Sequence, residues 1–206
     1  RGVSCLLFER AMAGFSSNPI HKMGMLSCPL GELLFEDVEI PADNLIGTEG
    51  KGFALAKKYL NIGRCVVAFS ALGIAEAAYE AAVKYAGDRV QFGRPIGGFQ
   101  LVQHMIADMM TLVETSRLLC WRAADALDRD AADSQMLCSM AKRHATDAVL
   151  RVAELSMPVH GGAGYTTLFP VERYYRDARH LSIAEGTNQI QALLMAQSVL
   201  GISALK

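Results

Sequence analysis

The chain has 206 residues, 51% of them hydrophobic, with Lys+Arg at 20 against Asp+Glu at 21 and a formal net charge of −1. That length suits one large domain or one and a half smaller ones, and the near-neutral balance gives no sign of a nucleic-acid or membrane-surface role carried by bulk charge. The cysteines, Cys5, Cys28, Cys65, Cys120 and Cys138, are odd in number and lack C-x-x-C spacing; this pattern argues for buried thiols in a reducing compartment and against a disulfide framework or a metal site.

No apolar run reaches about 18 residues without a polar interruption, so no transmembrane helix is expected. The opening RGVSCLLFE reads as a strand and not as a targeting segment. From Gly2 to Gly47, β-branched and apolar runs (VSCLLFE, GELLFEDVEIP) are broken by Ser16-Ser17-Asn18-Pro19 and similar turn residues, which predicts short strands separated by loops. So short a segment buries little surface alone and reads as the trailing half of a β-domain. The pattern changes at Gly50-Lys51-Gly52. Phe53 to Tyr85 carries Ala, Leu, Ile and Val at helical spacing without proline and predicts one long helix ending near Ala86-Gly87-Asp88. A polar connector with Gly93, Pro95, Gly97 and Gly98 follows. A second helix is expected from near Phe99 to about Arg129, with Met105, Met109, Leu112 and Leu119 in the core, and a third from about Ala131 to Met157, with Pro158 stopping it or lying just past its end. A short helical turn near Pro170 to Tyr175 and a last helix from about Asn188 to Leu200 complete the chain. Long helices on short connectors bury their apolar stripes on one another, so the expectation is mainly α: an antiparallel four-helix bundle over 48–206, preceded by a partial β-domain over 1–47.

The chemistry concentrates in Val159 to Gln191, VHGGAGYTTLFPVERYYRDARHLSIAEGTNQIQ. Two glycine-bearing turns, Gly161-Gly162-Ala163-Gly164 and Glu185-Gly186-Thr187, are joined by a charged segment and run into an apolar helix. Glycines let a backbone approach a ligand closely, and a Gly-Thr-Asn run opening a helix offers N–H groups and side-chain oxygens. A core needs neither. The three blocks HGGAGY, PVERYYRDAR and EGTNQIQ, in this order, resemble the C-terminal signature of the acyl-CoA dehydrogenases, which are flavoproteins. The likeness extends to KMGMLSCPLGELLFEDVEIPADNLIGTEGKGF and YAGDRVQFGRPIGGFQLVQHMIADM, similar to the family's exit from its central β-domain and to its second-helix connector.

The resemblance implies an FAD-dependent oxidoreductase that removes two hydrogens across Cα–Cβ of an acyl-CoA thioester, with Glu185 as the base. Some family members place that Glu in the first long helix, at the position that is Gly63 here, and glycine is no base. Arg89, Phe92 and Gln100 match positions that reach FAD across a dimer; the bland alternative is a solvated arginine beside a core Phe. Gly161 and Gly162 match a turn at the same cofactor end, or serve simply as a helix-to-loop turn. Thr187 and Gln189 match positions near the flavin, with helix capping by Thr187 compatible with that role. Asn61, Arg64 and Gly186 match substrate-side positions, although Arg64 also fits a buried structural cation. His160 is expected to be a structural hydrogen-bonder, and the Tyr174 to Arg179 charges an ion-paired scaffold between the glycine turns. Two residues depart from the pattern: Pro158 where a Gln is usual, and Ala184 where an aromatic residue commonly precedes the Glu.

The family's N-terminal helical domain and the first half of its β-domain have no counterpart in the 206 residues. The resemblance further implies an electron-transfer flavoprotein as acceptor, a homo-oligomer (dimer or tetramer), no metal, and a cytoplasmic or, in a eukaryote, mitochondrial-matrix location. An acyl-CoA oxidase or nitroalkane-oxidase-like flavoenzyme, and a non-catalytic assembly subunit, are the competing readings.

Overall fold

In helix α1 (Gly52–Asp88), alanine recurs at 68, 71, 75, 78, 82 and 86, and all six are buried. Steps of three and four residues put these small side chains on one face, where they let neighbouring helices approach closely. α2 (Gln100–Asp128) answers with Met109, Val113, Cys120, Ala123 and Ala126, and α3 (Ser134–Val159) with Cys138, Ala141, Ala145, Val149, Val152 and Ala153. One continuous core joins these faces, with Met105, Leu112 and Leu119 packed at its margin. α3 lies against α2, against α4 (Val171–Leu181) and against α5 (Asn188–Leu200), which places it at the centre of the bundle.

The computed structural model describes residues 2–204. The chain divides into two compact units, Arg1–Leu60 and Asn61–Lys206, and α1 begins in the first and continues into the second. In the first unit, β1 (Cys5–Leu6) pairs antiparallel with β4 (Leu45–Ile46), and β2 (Phe15–Pro19) with β3 (Gly31–Phe35) in the register Phe15 opposite Phe35 and Pro19 opposite Gly31. Phe8, Phe15 and Phe35 form an aromatic cluster with ring centroids 4.9–5.3 Å apart. Every residue of β3 remains exposed, Leu33, Leu34 and Phe35 included.

Three details differ from expectation. Pro158 lies inside the last turn of α3 instead of ending it. Its missing N–H forgoes one bond, and the chain carries on because the His160 N–H donates to Met157 O at 3.0 Å. The connector after α1 is not wholly irregular: β5 (Val90–Gln91) and β6 (Arg94–Pro95) form a small hairpin. Finally, α1 is long and apolar enough, at a mean hydropathy of 1.5 in its most apolar window, to cross a membrane by length and composition. Its alanine stripe is buried among helices, while 33% of that apolar window as a whole is buried.

Candidate functional site

Between α4 and α5 the chain turns through residues 182–187, and at Glu185 the backbone enters the left-handed region with φ of 55°. A side chain with a Cβ pays for that conformation, by about 1–2 kcal/mol, so glycine would be the unstrained choice. Gly186 follows at φ 92°. The turn directs the Glu185 side chain at α1. A Cβ built on Gly63 would stand 2.9 Å from both Cδ and Oε2 of Glu185, so the carboxylate lies in the notch that this glycine leaves in the helix. The neighbouring Arg64 is 7% exposed; its Nε donates to the Glu185 carbonyl at 3.4 Å and its terminal nitrogen to Asn61 Oδ1 at 3.0 Å. Burial lowers the pKa of Arg64, with the nearby Glu185 charge acting in the opposite direction.

Behind the turn lies a polar network on α3. Lys142 has no exposed surface, and its ammonium donates to Ser182 O at 3.1 Å, Gly186 O at 2.9 Å and Asn188 Oδ1 at 2.9 Å. Asn188, the first residue of α5, donates in turn to Thr146 Oγ1 at 2.9 Å and Asp147 Oδ1 at 2.7 Å. Buried Gln191 donates from Nε2 to Glu185 O at 3.1 Å and Gly186 O at 2.9 Å; two carbonyl acceptors fix which end of the amide faces the turn. Thr187 caps α5, its hydroxyl accepting from the Ile190 N–H at 3.5 Å. Arg179, in the last turn of α4, donates to Ser182 Oγ at 3.0 Å.

A second cluster gathers where α1 ends and α3 gives way to the Gly161–Tyr165 3-10 turn. A cleft of about 660 Å³ is lined by Tyr85, Arg89, Phe92, Phe99, Gly161 and Gly162, among others. Phe92 tips the β5–β6 hairpin at φ 52° with Gly93 at φ 77°, and is 94% exposed. Both central residues of a two-residue hairpin turn with positive φ make a tight turn that favours Asn-Gly, so a bare phenylalanine there is neither a turn former nor a core residue. Gly161 is at φ 59°, and neither Gly161 nor Gly162 has an atom within 4 Å of where a Cβ would stand. His160 is buried against Tyr85 at 4.4 Å between ring centroids, and its Nδ1–H donates to Ser156 O at 2.8 Å. Five described non-glycine residues have positive φ, and two of them, Glu185 and Phe92, stand at these two clusters.

Residues 50–200 match the family model for the C-terminal domain of acyl-CoA dehydrogenases. The chain belongs to the acyl-CoA dehydrogenase family. It is 43% identical over 201 residues to an acyl-CoA dehydrogenase of Bacillus subtilis, covering 97% of this chain and 53% of the relative. It is 38% identical, over 97% of this chain and 53% of the relative, to the caffeyl-CoA reductase-Etf complex subunit CarC of Acetobacterium woodii. The structure of butyryl-CoA dehydrogenase from Megasphaera elsdenii superposes with a TM-score of 0.93 at 39% identity, over 97% of this chain and 52% of that one. The chain thus spans about half the length of the curated relatives it matches.

Within this acyl-CoA dehydrogenase domain, Asn61, Gly63, Arg64, Glu185, Gly186 and Thr187 come together at one site, and Arg89, Phe92, Gly161 and Gly162 at another. Gln100 opens α2 between the cleft-lining Phe99 and Val102 without lining the cleft itself. Gln189 is exposed, while Gln191, one turn-face away, is the glutamine that grips the Glu185 turn. Sequence reading missed Gln191, Asn188 and above all Lys142. A signal was there: Lys142 falls four residues after Cys138 and four before Thr146, on the stripe of α3 that is otherwise small and buried.

Proposed function

We propose that the holoenzyme carrying this chain dehydrogenates an acyl-CoA thioester across Cα–Cβ, with Glu185 as the general base. The observation that carries this reading is the Glu185 carboxylate, held on a left-handed backbone in the notch above Gly63. A carboxylate that served only the α5 dipole would contribute about 0.3–1 kcal/mol and would gain nothing from strained backbone. As base, Glu185 accepts the α-proton while the β-hydrogen leaves as hydride, and the Cα–Cβ bond becomes double. An α-proton beside a thioester is weakly acidic, so the developing carbonyl charge calls for a donor. The Glu185 N–H makes no hydrogen bond among the described residues and supplies one.

The cleft beside Arg89 suits the nucleotide end of FAD: a guanidinium for the pyrophosphate, exposed Phe92 for ring contact, and at Gly161 and Gly162 a backbone open to close approach. When bound, FAD supplies the hydride acceptor. We propose further that these residues serve FAD across a subunit interface, in a dimer or tetramer, and that Asn61 and Arg64 border the thioester side of the substrate. The relative whose printed name couples it to Etf supports an electron-transfer flavoprotein as the electron acceptor.

The test is Glu185→Gln in the FAD-loaded holoenzyme. The amide keeps shape and hydrogen bonding but accepts no proton, so substrate-dependent bleaching of the flavin should slow by about 10²–10⁴-fold with flavin content and melting temperature little changed. Bleaching at close to the wild-type rate would remove Glu185 from the role.

A further inference from the structure

Lys142 directs all three N–H bonds of its ammonium at one stretch of backbone and side chain, residues 182–188. None of its hydrogen-bond acceptors is charged. A buried cation held only by neutral acceptors is an expensive way to fill a core, since an apolar side chain of similar volume does so at no loss. What the ammonium provides is geometry: it grips carbonyls on both sides of Glu185, at Ser182 and Gly186, and locks the first residue of α5 through Asn188.

We infer that Lys142 is a positioning residue for the base, the hub that holds residues 182–188 in the one arrangement where Glu185 reaches the Gly63 notch. This rests on the reading of Glu185 as the base. Three observations converge on it. Gly186 O accepts from both Lys142 Nζ and Gln191 Nε2, so the peptide following Gly186 is pinned from two helices. Asn188 is held by its oxygen to Lys142 and by its nitrogen to Thr146 and Asp147, so the start of α5 has no freedom to rotate. And Glu185 sits in a conformation that a free turn would abandon, because a residue with a Cβ relaxes out of the left-handed region unless its surroundings over-determine it. Burial pushes the Lys142 pKa down to about 8; Asp147 on its own helix and Glu185 on the turn act to raise it, Arg64 of α1 to lower it, and α5 presents the neutral Asn188.

The experiment compares Lys142→Met, Gln191→Met and Glu185→Gln in the FAD-loaded holoenzyme. Four quantities are read: rapid-mixing flavin reduction across substrate concentrations, flavin content, the isotope effect from an α-deuterated acyl-CoA, and amide hydrogen exchange over residues 183–188. Lys142→Met keeps the volume and removes the donors. It should lower the limiting reduction rate by about 10–10²-fold, the usual consequence of a misplacement of about 1 Å. Flavin content and the substrate concentration for half-maximal rate should stay within about twofold, the α-deuterium effect should rise, and exchange over 183–188 should accelerate. Gln191→Met should move the same quantities the same way by less. Glu185→Gln should slow reduction by about 10²–10⁴-fold and leave exchange unchanged. A folded Lys142→Met with wild-type rate, isotope effect and exchange overturns the assignment, as does a rate loss matched by flavin loss with exchange unchanged. Should Lys142→Met not fold, Gln191→Met decides: wild-type rate and exchange in it overturn the proposal. If Glu185→Gln stays active, the base reading fails on its own, and the exchange data still report whether Lys142 holds the turn.

Discussion

The carboxylate of Glu185 stands where a side chain on Gly63 would have to be, 2.9 Å from the ideal Cβ position on α1. The two residues are 122 positions apart in the chain, and each explains the other. A glycine inside a long helix costs about 1 kcal/mol against alanine, which nothing in the helix itself repays. Gly63→Ala should therefore raise local helix propensity while pushing the carboxylate aside. The obstructing atoms are the far end of a flexible side chain, so the fold should tolerate the change. The expected result is a melting temperature equal to or slightly above wild type, with flavin reduction by acyl-CoA slowed about 10–10²-fold through displacement of the proposed base. Calorimetry beside rapid-mixing kinetics checks both halves; an active Gly63→Ala enzyme would mean the carboxylate works from another position.

The strain at Glu185 is separately measurable. Glu185→Ala and Glu185→Gly both remove the carboxylate, but only glycine adopts φ of 55° without penalty. Glycine at 185 should therefore be more stable than alanine by about 1 kcal/mol, visible as a melting temperature about 2–4 °C higher for a chain of this size. Equal stability of the two variants would show that the turn relaxes when the carboxylate is gone.

Much of the bundle was legible because its signal is periodic. Alanines three and four apart name the buried face of α1, and the Gly-rich breaks name the connectors. Glu185 stood out in the sequence because a carboxylate precedes Gly-Thr-Asn and because EGTNQIQ resembles the family signature. Lys142 was not, since one cation in an alanine-rich helix reads as exposed until the position of α5 is known: its partners are 40 to 46 residues away. For the same reason Gln189 and Gln191 are alike in sequence, and only helical phase relative to the turn separates the exposed one from the one that grips it. Pro158 misled in the other direction, because proline disfavours helix continuation without forbidding one more residue.

Phe92 offers a test of the second cluster that is independent of the base. Its φ of 52°, ahead of Gly93 at 77°, is the backbone of an Asn-Gly hairpin turn, and its ring is almost wholly exposed. Phe92→Asn should therefore leave the domain as stable as wild type, or a few tenths of a kcal/mol more so. If the ring serves FAD, the same variant should purify with less flavin and lose the remainder faster on dilution. Full, tightly held flavin in Phe92→Asn would take Phe92 out of the cofactor site.

The pH behaviour of Lys142 separates its effect on stability from its effect on the site. Its folded-state pKa is lowered to about 8 from an ordinary value of 10.5, with burial the main cause. Between those two values the unfolded chain binds more protons than the folded one, so this group makes stability rise with pH through that window and contributes no slope below about pH 7. Activity should go the other way. The amine left after deprotonation has two N–H bonds for three acceptors, Ser182 O, Gly186 O and Asn188 Oδ1, so one tie to the Glu185 turn is lost. The limiting rate of flavin reduction should fall above about pH 8 while the wild-type protein gains stability relative to Lys142→Met, whose side chain does not titrate. Chemical denaturation and rapid-mixing kinetics of both proteins from pH 6.5 to about 10 give the comparison. Parallel stability curves for the two proteins would show that Lys142 keeps its proton throughout, and an alkaline fall in rate that persists in Lys142→Met would assign that limb to another group.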